Sequence, residues 1–255
     1  QEIFFYRFLI AYLGIWVISP KRLFTNNWQD ELWLVAGGIF GGSLYFFTEN
    51  TALGITQASN VSFIICTAPL LTTILSLLFY KSEKASKGLI YGSLLALMGV
   101  GLIVFNGSFV LKISPIGDLL TLLAALSWAF YSLIIKKMAG RYPTIFITRK
   151  IFFYGVLTIL PAFLLHPLHP DTAVLLQPAV LFNLLFLAVL ASLICYVLWN
   201  VVLKQLGTVR ASNYIYLNPL VTMIASFLIL DEKITLVALG GAACIVCGVY
   251  WAEKK

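Results

Sequence analysis

Apolar residues along this chain come in long unbroken runs, and polar residues gather in the short breaks between them. Nine runs stand out, at about residues 3–19, 32–53, 57–80, 87–105, 115–138, 144–165, 179–204, 209–230 and 235–252. The breaks carry Pro20 with Lys21 and Arg22, Gly54, Lys81 to Lys87, Asn106 with Gly107, Gly140, His166 to Asp171, Gly207, and Asp231 to Lys233, the residue types that punctuate helices. Runs of roughly 17–25 residues match the ~20 that a helix needs to cross a bilayer, and the long alternation of a membrane β-barrel is absent. In lipid the backbone must satisfy its own hydrogen bonds. The pattern therefore predicts an all-α, polytopic membrane helix bundle of nine spans.

Composition agrees. Hydrophobic residues make up 61% of the 255 and charged residues 11%, against about 25% charged in soluble domains. The net charge of +7 comes from 17 Lys and Arg against 10 Asp and Glu, but these cations sit in short loops, which argues for membrane orientation and against nucleic acid as a partner. Assigned to alternating sides, 14 fall on one side (Lys21, Arg22, Lys81, Lys84, Lys87, Lys136, Lys137, Arg141, Arg149, Lys150, Lys204, Arg210, Lys254, Lys255) and 3 on the other (Arg7, Lys112, Lys233). The positive-inside rule then places the C-terminus in the cytoplasm and, with nine spans, the N-terminus outside. Lys81 to Lys87 and Lys204 to Arg210 are expected inside, and His166 to Asp171 outside. Cys66, Cys195, Cys244 and Cys247 lie in apolar runs; Cys244 and Cys247 form a CxxC, but within a helix and without His or acidic company, so they read as small packing residues and not as a metal or redox site. The chain opens directly in an apolar run containing Arg7, so no cleavable signal peptide is expected.

Two parts of the chain resemble each other. LG at 53–54, ASN at 58–60, Pro69, Glu83-Lys84, Gly92 and Gly99 recur as LG at 206–207, ASN at 211–213, Pro219, Glu232-Lys233, Gly241 and Gly248. The offset is 153 early and 149 to 150 later, so the second copy lacks about one turn before its proline. A further match links Arg7 to Arg149. Glu83-Lys84 falls on the cation-rich side and Glu232-Lys233 on the other, which makes this an inverted-topology repeat of the kind alternating access uses. The copies are read as 1–107 and 115–255. By register the first lacks the counterpart of 115–138, so nine helices stand where a ten-helix type has ten.

The Arg7-Phe8 opening, the two ASN…Pro…Glu-Lys…Gly…Gly stretches, GDLLTLLAALSWAFYSLIIKKM at 117–138 and LWNVVLKQLG at 198–207 resemble the EamA family of the drug/metabolite transporter superfamily. The resemblance covers the whole chain. It implies ten helices in two inverted five-helix repeats, a central cavity, and export of amino acids or other metabolites.

Several residues could carry that work. Gly37, Gly38, Gly41 and Gly42, Gly88-Gly92-Ala96, and Gly240-Cys244-Gly248 form small faces that let helices approach closely, with packing the favoured role and sliding during transport the sharper one. Glu49 lies inside a run about one turn from its outer end, where a carboxylate is expensive. It is the candidate coupling residue, able to carry a proton or to meet a substrate ammonium; reaching outer water or pairing with Arg7 is the plain alternative. The pseudo-symmetric position is Val202. Trp128, Tyr131, Trp199, Asn200, Tyr214 and Asn218 are the candidate substrate-binding residues, because buried amides and phenols must find partners and so face a cavity or another helix. Ser127, Tyr196, Asn213 and Tyr216 belong to the same polar set. Pro69 and Pro219 free backbone carbonyls near mid-span. Arg7 and Arg149 lie within about two turns of a span end, where snorkelling explains them. Mid-span cations are scarce, which argues against sugar phosphates and nucleotide sugars. No catalytic motif is present, so the chain is not read as an enzyme, and no cofactor or metal is expected.

The reading is a secondary transporter exporting small metabolites, amino acids or related solutes, across a bacterial inner membrane by alternating access. Its partners are a small-molecule substrate and the lipid bilayer; the oligomeric state is not legible. The alternatives are a lipid-linked sugar flippase of the same superfamily and a non-transporting helical membrane subunit.

Overall fold

A computed structural model describes residues 2–20, 24–80, 86–105, 114–165, 168, 172–230 and 234–254, and all regular structure among them is helical. The chain opens with α1 (Glu2–Ile18), α2 (Trp28–Gly38) and α3 (Leu44–Leu53), the last two made continuous by a wide π turn at Ile39–Ser43. Then come α4 (Ala58–Phe79), α5 (Lys87–Phe105), α6 (Pro115–Ala139), α7 (Thr144–Leu164), α8 (Pro178–Leu206), α9 (Thr208–Ile229) and α10 (Leu236–Glu253). By length and composition, these are the seven helices among the described residues able to cross a membrane. Expectations resting on Lys21, Arg22, Lys81 to Lys84, Asn106, Gly107, Lys112, His166, His169 to Asp171, Asp231 to Lys233 and Lys255 lie outside the described residues.

The nine predicted runs fall on these helices, with two differences. The run read from 32 begins at Trp28, because the Asn27 side chain accepts a hydrogen bond from the Gln29 N–H, and Asp30 and Glu31 occupy the first turn. Carboxylates there suit the positive end of the helix dipole. The run at 57–80 is interrupted at Cys66 and Thr67, with Pro69 in the first turn of the helix that follows. Proline tolerates that position because a first-turn N–H has no partner within the helix.

Residues 1–47 and 130–205 form one compact unit, and 48–129 with 206–255 the other. In the first, α1, α2, α7 and α8 surround an aromatic core in which Phe8 meets Phe152 and Tyr196 edge-on at 5.0 and 5.6 Å. Glycines let α2 and its π turn lie against α7: a Cβ on Gly38 would stand 2.4 Å from that of Tyr154, and one on Gly42 3.2 Å from the Gly155 Cα. Arg7 donates to Ser192 at 2.8 Å, with its guanidinium 4.7 Å from the Phe46 ring centroid.

The second unit is built around α5 and α10. A Cβ on Gly92 would lie 2.4 Å from the Gly248 carbonyl oxygen, and one on Gly99 2.5 Å from that of Gly241. As numbers rise on α5 they fall on α10, so the helices are antiparallel. The repeat mates of Gly92 and Gly99 are Gly241 and Gly248, so each contact is the image of the other about a pseudo-two-fold axis. Ser76, near the end of α4, lies 3.4 Å from Thr208 at the start of α9; these repeat mates run oppositely too. The small face predicted at Gly240-Cys244-Gly248 is corrected by one residue. Gly241 and Gly248 pack, while a Cβ on Gly240 would meet nothing within 4 Å. Seven residues are close to two whole turns, so Gly241 and Gly248 share a face.

Candidate functional site

A cavity of about 450 Å³ lies within the second unit. From α3 comes Glu49, half-buried. The first turns of α4 bring Ala58, Ser59 and Ser62, and α9 brings Asn218, Thr222 and Ser226. Spacings of three and four residues put Ser59 with Ser62, Ala58 with Ser62, and Asn218, Thr222 and Ser226 on common helix faces. Leu53, Ile65, Val104 and Met223 supply apolar wall. Pro219 also lines the cavity, at the point where a 3₁₀ turn, Tyr214–Leu217, hands over to the next helical stretch, Asn218–Leu230. Among the described residues, one carboxylate with hydroxyls, an amide and apolar side chains can hold a small polar solute carrying a positive charge. The volume falls within the ~300–1,000 Å³ usual for ligand pockets.

The structure brings Glu49 and Asn218 to this cavity. Tyr131 and Asn200 meet in the other unit, both essentially inaccessible: the Tyr131 hydroxyl donates to Asn200 Oδ1 at 2.7 Å, and Asn200 Nδ2 donates to Thr148 at 2.9 Å. This chain ties α6, α8 and α7 together. Tyr196 donates to the carbonyl of Gly41, in the π turn, at 2.7 Å. Trp128, Trp199 and Tyr214 are not among the residues lining the Glu49 cavity; the two tryptophans are half-buried and Tyr214 is exposed.

Two further groupings escaped the sequence. Lys150 and Glu31, both nearly buried, form an ion pair, and Tyr154 donates its hydroxyl to the same carboxylate oxygen. Thr25 donates to the other oxygen through its N–H at 3.0 Å and its hydroxyl at 2.7 Å. The residue preceding Glu31, Asp30, accepts from Arg141 at 2.5 Å and from Tyr142 at 3.0 Å. Arg149 is 2% exposed and donates to the Ser19 carbonyl, so it is held inside the unit and does not snorkel outward. The available signals were Asp30-Glu31 opening a helix, adjacent cations Arg149-Lys150 within an apolar run, and Tyr154 one turn beyond Lys150 on the same face.

Comparison with known proteins gives a consistent result. The model of the EamA-like transporter family matches residues 1–105 and again 115–252. An uncharacterized transporter of Archaeoglobus fulgidus is 30% identical over 98% of this chain and 86% of its own length. A probable amino-acid metabolite efflux pump of Escherichia coli is 24% identical over 95% of this chain and 81% of its own. A crystal structure matches with a TM-score of 0.80 over 98% of this chain and 86% of that one; at 18% identity it speaks to the fold alone.

Proposed function

Because the chain belongs to the EamA-like transporter family, we propose that it is a secondary transporter exporting small metabolites of the amino-acid class across a bacterial inner membrane, with its C-terminus in the cytoplasm. The observation that carries this reading is Glu49 on the wall of a cavity whose other described lining residues are Asn218, four hydroxyl side chains, Cys66 and apolar groups. An amino acid presents an ammonium that a carboxylate can hold and a small side chain that the aliphatic wall can accept. The Escherichia coli relative named for amino-acid metabolite efflux supports the substrate class. Repeats at 1–107 and 115–255 in opposite orientation provide the two packings that alternating access requires. In this reading Glu49 and Asn218 meet the solute, while Tyr131 and Asn200 hold their helices in place.

The test is transport by the full chain in proteoliposomes, with Glu49→Gln beside it. If Glu49 carries a coupling proton, the variant loses accumulation driven by a pH gradient but keeps downhill exchange. If Glu49 holds the substrate ammonium, binding itself weakens, because an amide does not replace a desolvated charge partner. Driven transport and affinity both unchanged would remove Glu49 from the mechanism. Intact, folded protein that moves no amino acid would overturn the transporter reading in favour of a non-transporting subunit.

A further inference from the structure

The second unit holds another cavity, about 420 Å³, lined by Thr73, Leu77, Ser86, Leu89, Leu206, Gly207, Val209, Arg210 and Ala252 to Lys254. It lies at the opposite end of the unit from Glu49. Here α4 finishes, α5 and α9 begin, and α10 finishes; at the Glu49 cavity α4 and α10 begin, and α5 and α9 approach their ends. The two are repeat mates. Leu53, Ile103, Val104 and Ala238 of the first correspond to Leu206, Ala252, Glu253 and Leu89 of the second, at the repeat's offsets of 153 and 149.

The chemistry of the second cavity has diverged. Arg210 stands where the first copy has Gln57, Glu253 where it has Val104, and Lys254 where it has Phe105. Among the described residues, two cations and a carboxylate thus line this space at positions whose mates are uncharged, and the Glu49 cavity has no cation in its described lining. One carboxylate oxygen of Glu253 is buried and accepts no hydrogen bond among the described residues. Ser86 and Lys254 also line a second, more open groove with Lys87, Gly88, Tyr91, Leu95 and Trp251. That groove follows the outer sides of α5 and α10, where Tyr91 and Trp251 are more than half exposed. Tyrosine and tryptophan favour the level of lipid headgroups.

We propose that the two spaces together form a phospholipid site selective for a headgroup with both a phosphate and a primary ammonium, as in phosphatidylethanolamine. Arg210 and Lys254 attract the phosphate, Arg210 with two parallel N–H donors. A phosphate alone would be repelled by Glu253; an ammonium on the same headgroup offers that carboxylate three donors. The glycerol and upper acyl carbons leave along the groove past Tyr91, Leu95 and Trp251. The apolar groove continuous with the charged pocket favours a lipid over a free zwitterion of the same chemistry.

The experiment measures thermal unfolding of the purified full chain in detergent with added dioleoyl phosphatidylethanolamine, phosphatidylcholine or phosphatidylglycerol, and counts bound lipid by native mass spectrometry. Phosphatidylethanolamine should raise the unfolding midpoint saturably and more than either other lipid. Choline fails because its quaternary nitrogen donates no hydrogen bond, and glycerol because it has no cation for Glu253. Arg210→Gln should weaken the apparent affinity about fivefold. Glu253→Gln should erase the preference over phosphatidylglycerol while retaining binding, an outcome that loss of folding would not imitate. Equal effects of all three lipids on the unaltered protein, or a preference for phosphatidylglycerol, would overturn the proposal. Glycerophosphoethanolamine, the headgroup without acyl chains, should have no effect; protection equal to that of the lipid would make this a site for a soluble zwitterion and refute the lipid assignment.

Discussion

Replacing Gly241 with alanine should destabilise the protein, and the same change at its neighbour Gly240 should not. A Cβ at 241 would lie 2.7 Å from the Gly99 carbonyl oxygen and 2.9 Å from Leu102 and Ile103 side-chain carbons, whereas ordinary contact begins at 3.4 Å. The shortfall is about 0.7 Å, and its nearest atom is backbone, which has no rotamer to move away. The helices α5 and α10 must therefore separate. A gap of ~0.5–1 Å forfeits a quarter to a half of each dispersion contact along the seam, and overpacking of this kind costs about 1–3 kcal/mol. Alanine returns about 1 kcal/mol through helix propensity. With the clash against backbone the cost belongs at the upper end, leaving a net loss of about 2 kcal/mol. Gly240, with nothing within 4 Å of its Cβ position, keeps only the gain of about 1 kcal/mol. Thermal unfolding of purified protein should separate the two variants by roughly 6–12 °C, at about 2–4 °C per kcal/mol for a chain of this size. Equal midpoints would refute the assignment of the packing face. Gly92→Ala and Gly248→Ala strain one shared contact, so the double variant should cost less than the two singles together.

Three other outcomes follow from the same structure. Tyr131→Phe removes the donor to Asn200 Oδ1 and should lower stability by about 1–3 kcal/mol, measured by the same unfolding assay; no change would mean the amide finds another donor. Lys150→Met leaves Glu31 buried without its ion pair and should cost about 3–5 kcal/mol, while the double change Glu31→Gln with Lys150→Met should recover much of it; a double variant no better than Lys150→Met would refute the coupling. In a cysteine-free background, Gln57→Cys before α4 and Gln205→Cys before α9 should react with impermeant maleimide from opposite faces of the membrane; labelling from one face would sink the inverted repeat.

Much of the fold was legible because a bilayer leaves the sequence few options. Apolar runs of spanning length mark helices whatever their neighbours, and the repeat identified Gly92, Gly99, Gly241 and Gly248 as matching positions before their contacts were known. The packing face was less legible. Gly240 and Gly241 are adjacent small residues, and periodicity assigns a face only through a residue whose orientation is already fixed; the partner helix settles it at Gly241. The Glu31–Lys150 pair was missed for a related reason. Each charge sits near a helix end, where solvation and snorkelling are sufficient accounts, and only the tertiary approach of α2 to α7 makes them neighbours. Glu49 and Asn218 were both singled out, but their meeting at one cavity depends on α3 and α9, separated by more than half the chain.

The repeat also separates what must be kept from what is free to change. An antiparallel pair related by a pseudo-two-fold axis makes each contact twice, so one large residue in the seam would harm the contact it makes and break the match with its mate. Small residues therefore recur in both copies at Gly92/Gly241 and Gly99/Gly248. Residues lining the cavities carry no such constraint, because each cavity is lined by different members of each repeat pair. Glu49 against Val202, Val104 against Glu253 and Gln57 against Arg210 show the divergence, with a carboxylate at one end and cations beside a carboxylate at the other. In the proposed topology those ends face opposite sides of the membrane. A solute or lipid then meets different electrostatics on each side, although the helices around it are built to one plan. Exchanging the residues at 104 and 253 tests this separation: the seam should survive, because neither position lies in a glycine contact, while the phosphatidylethanolamine preference should be lost.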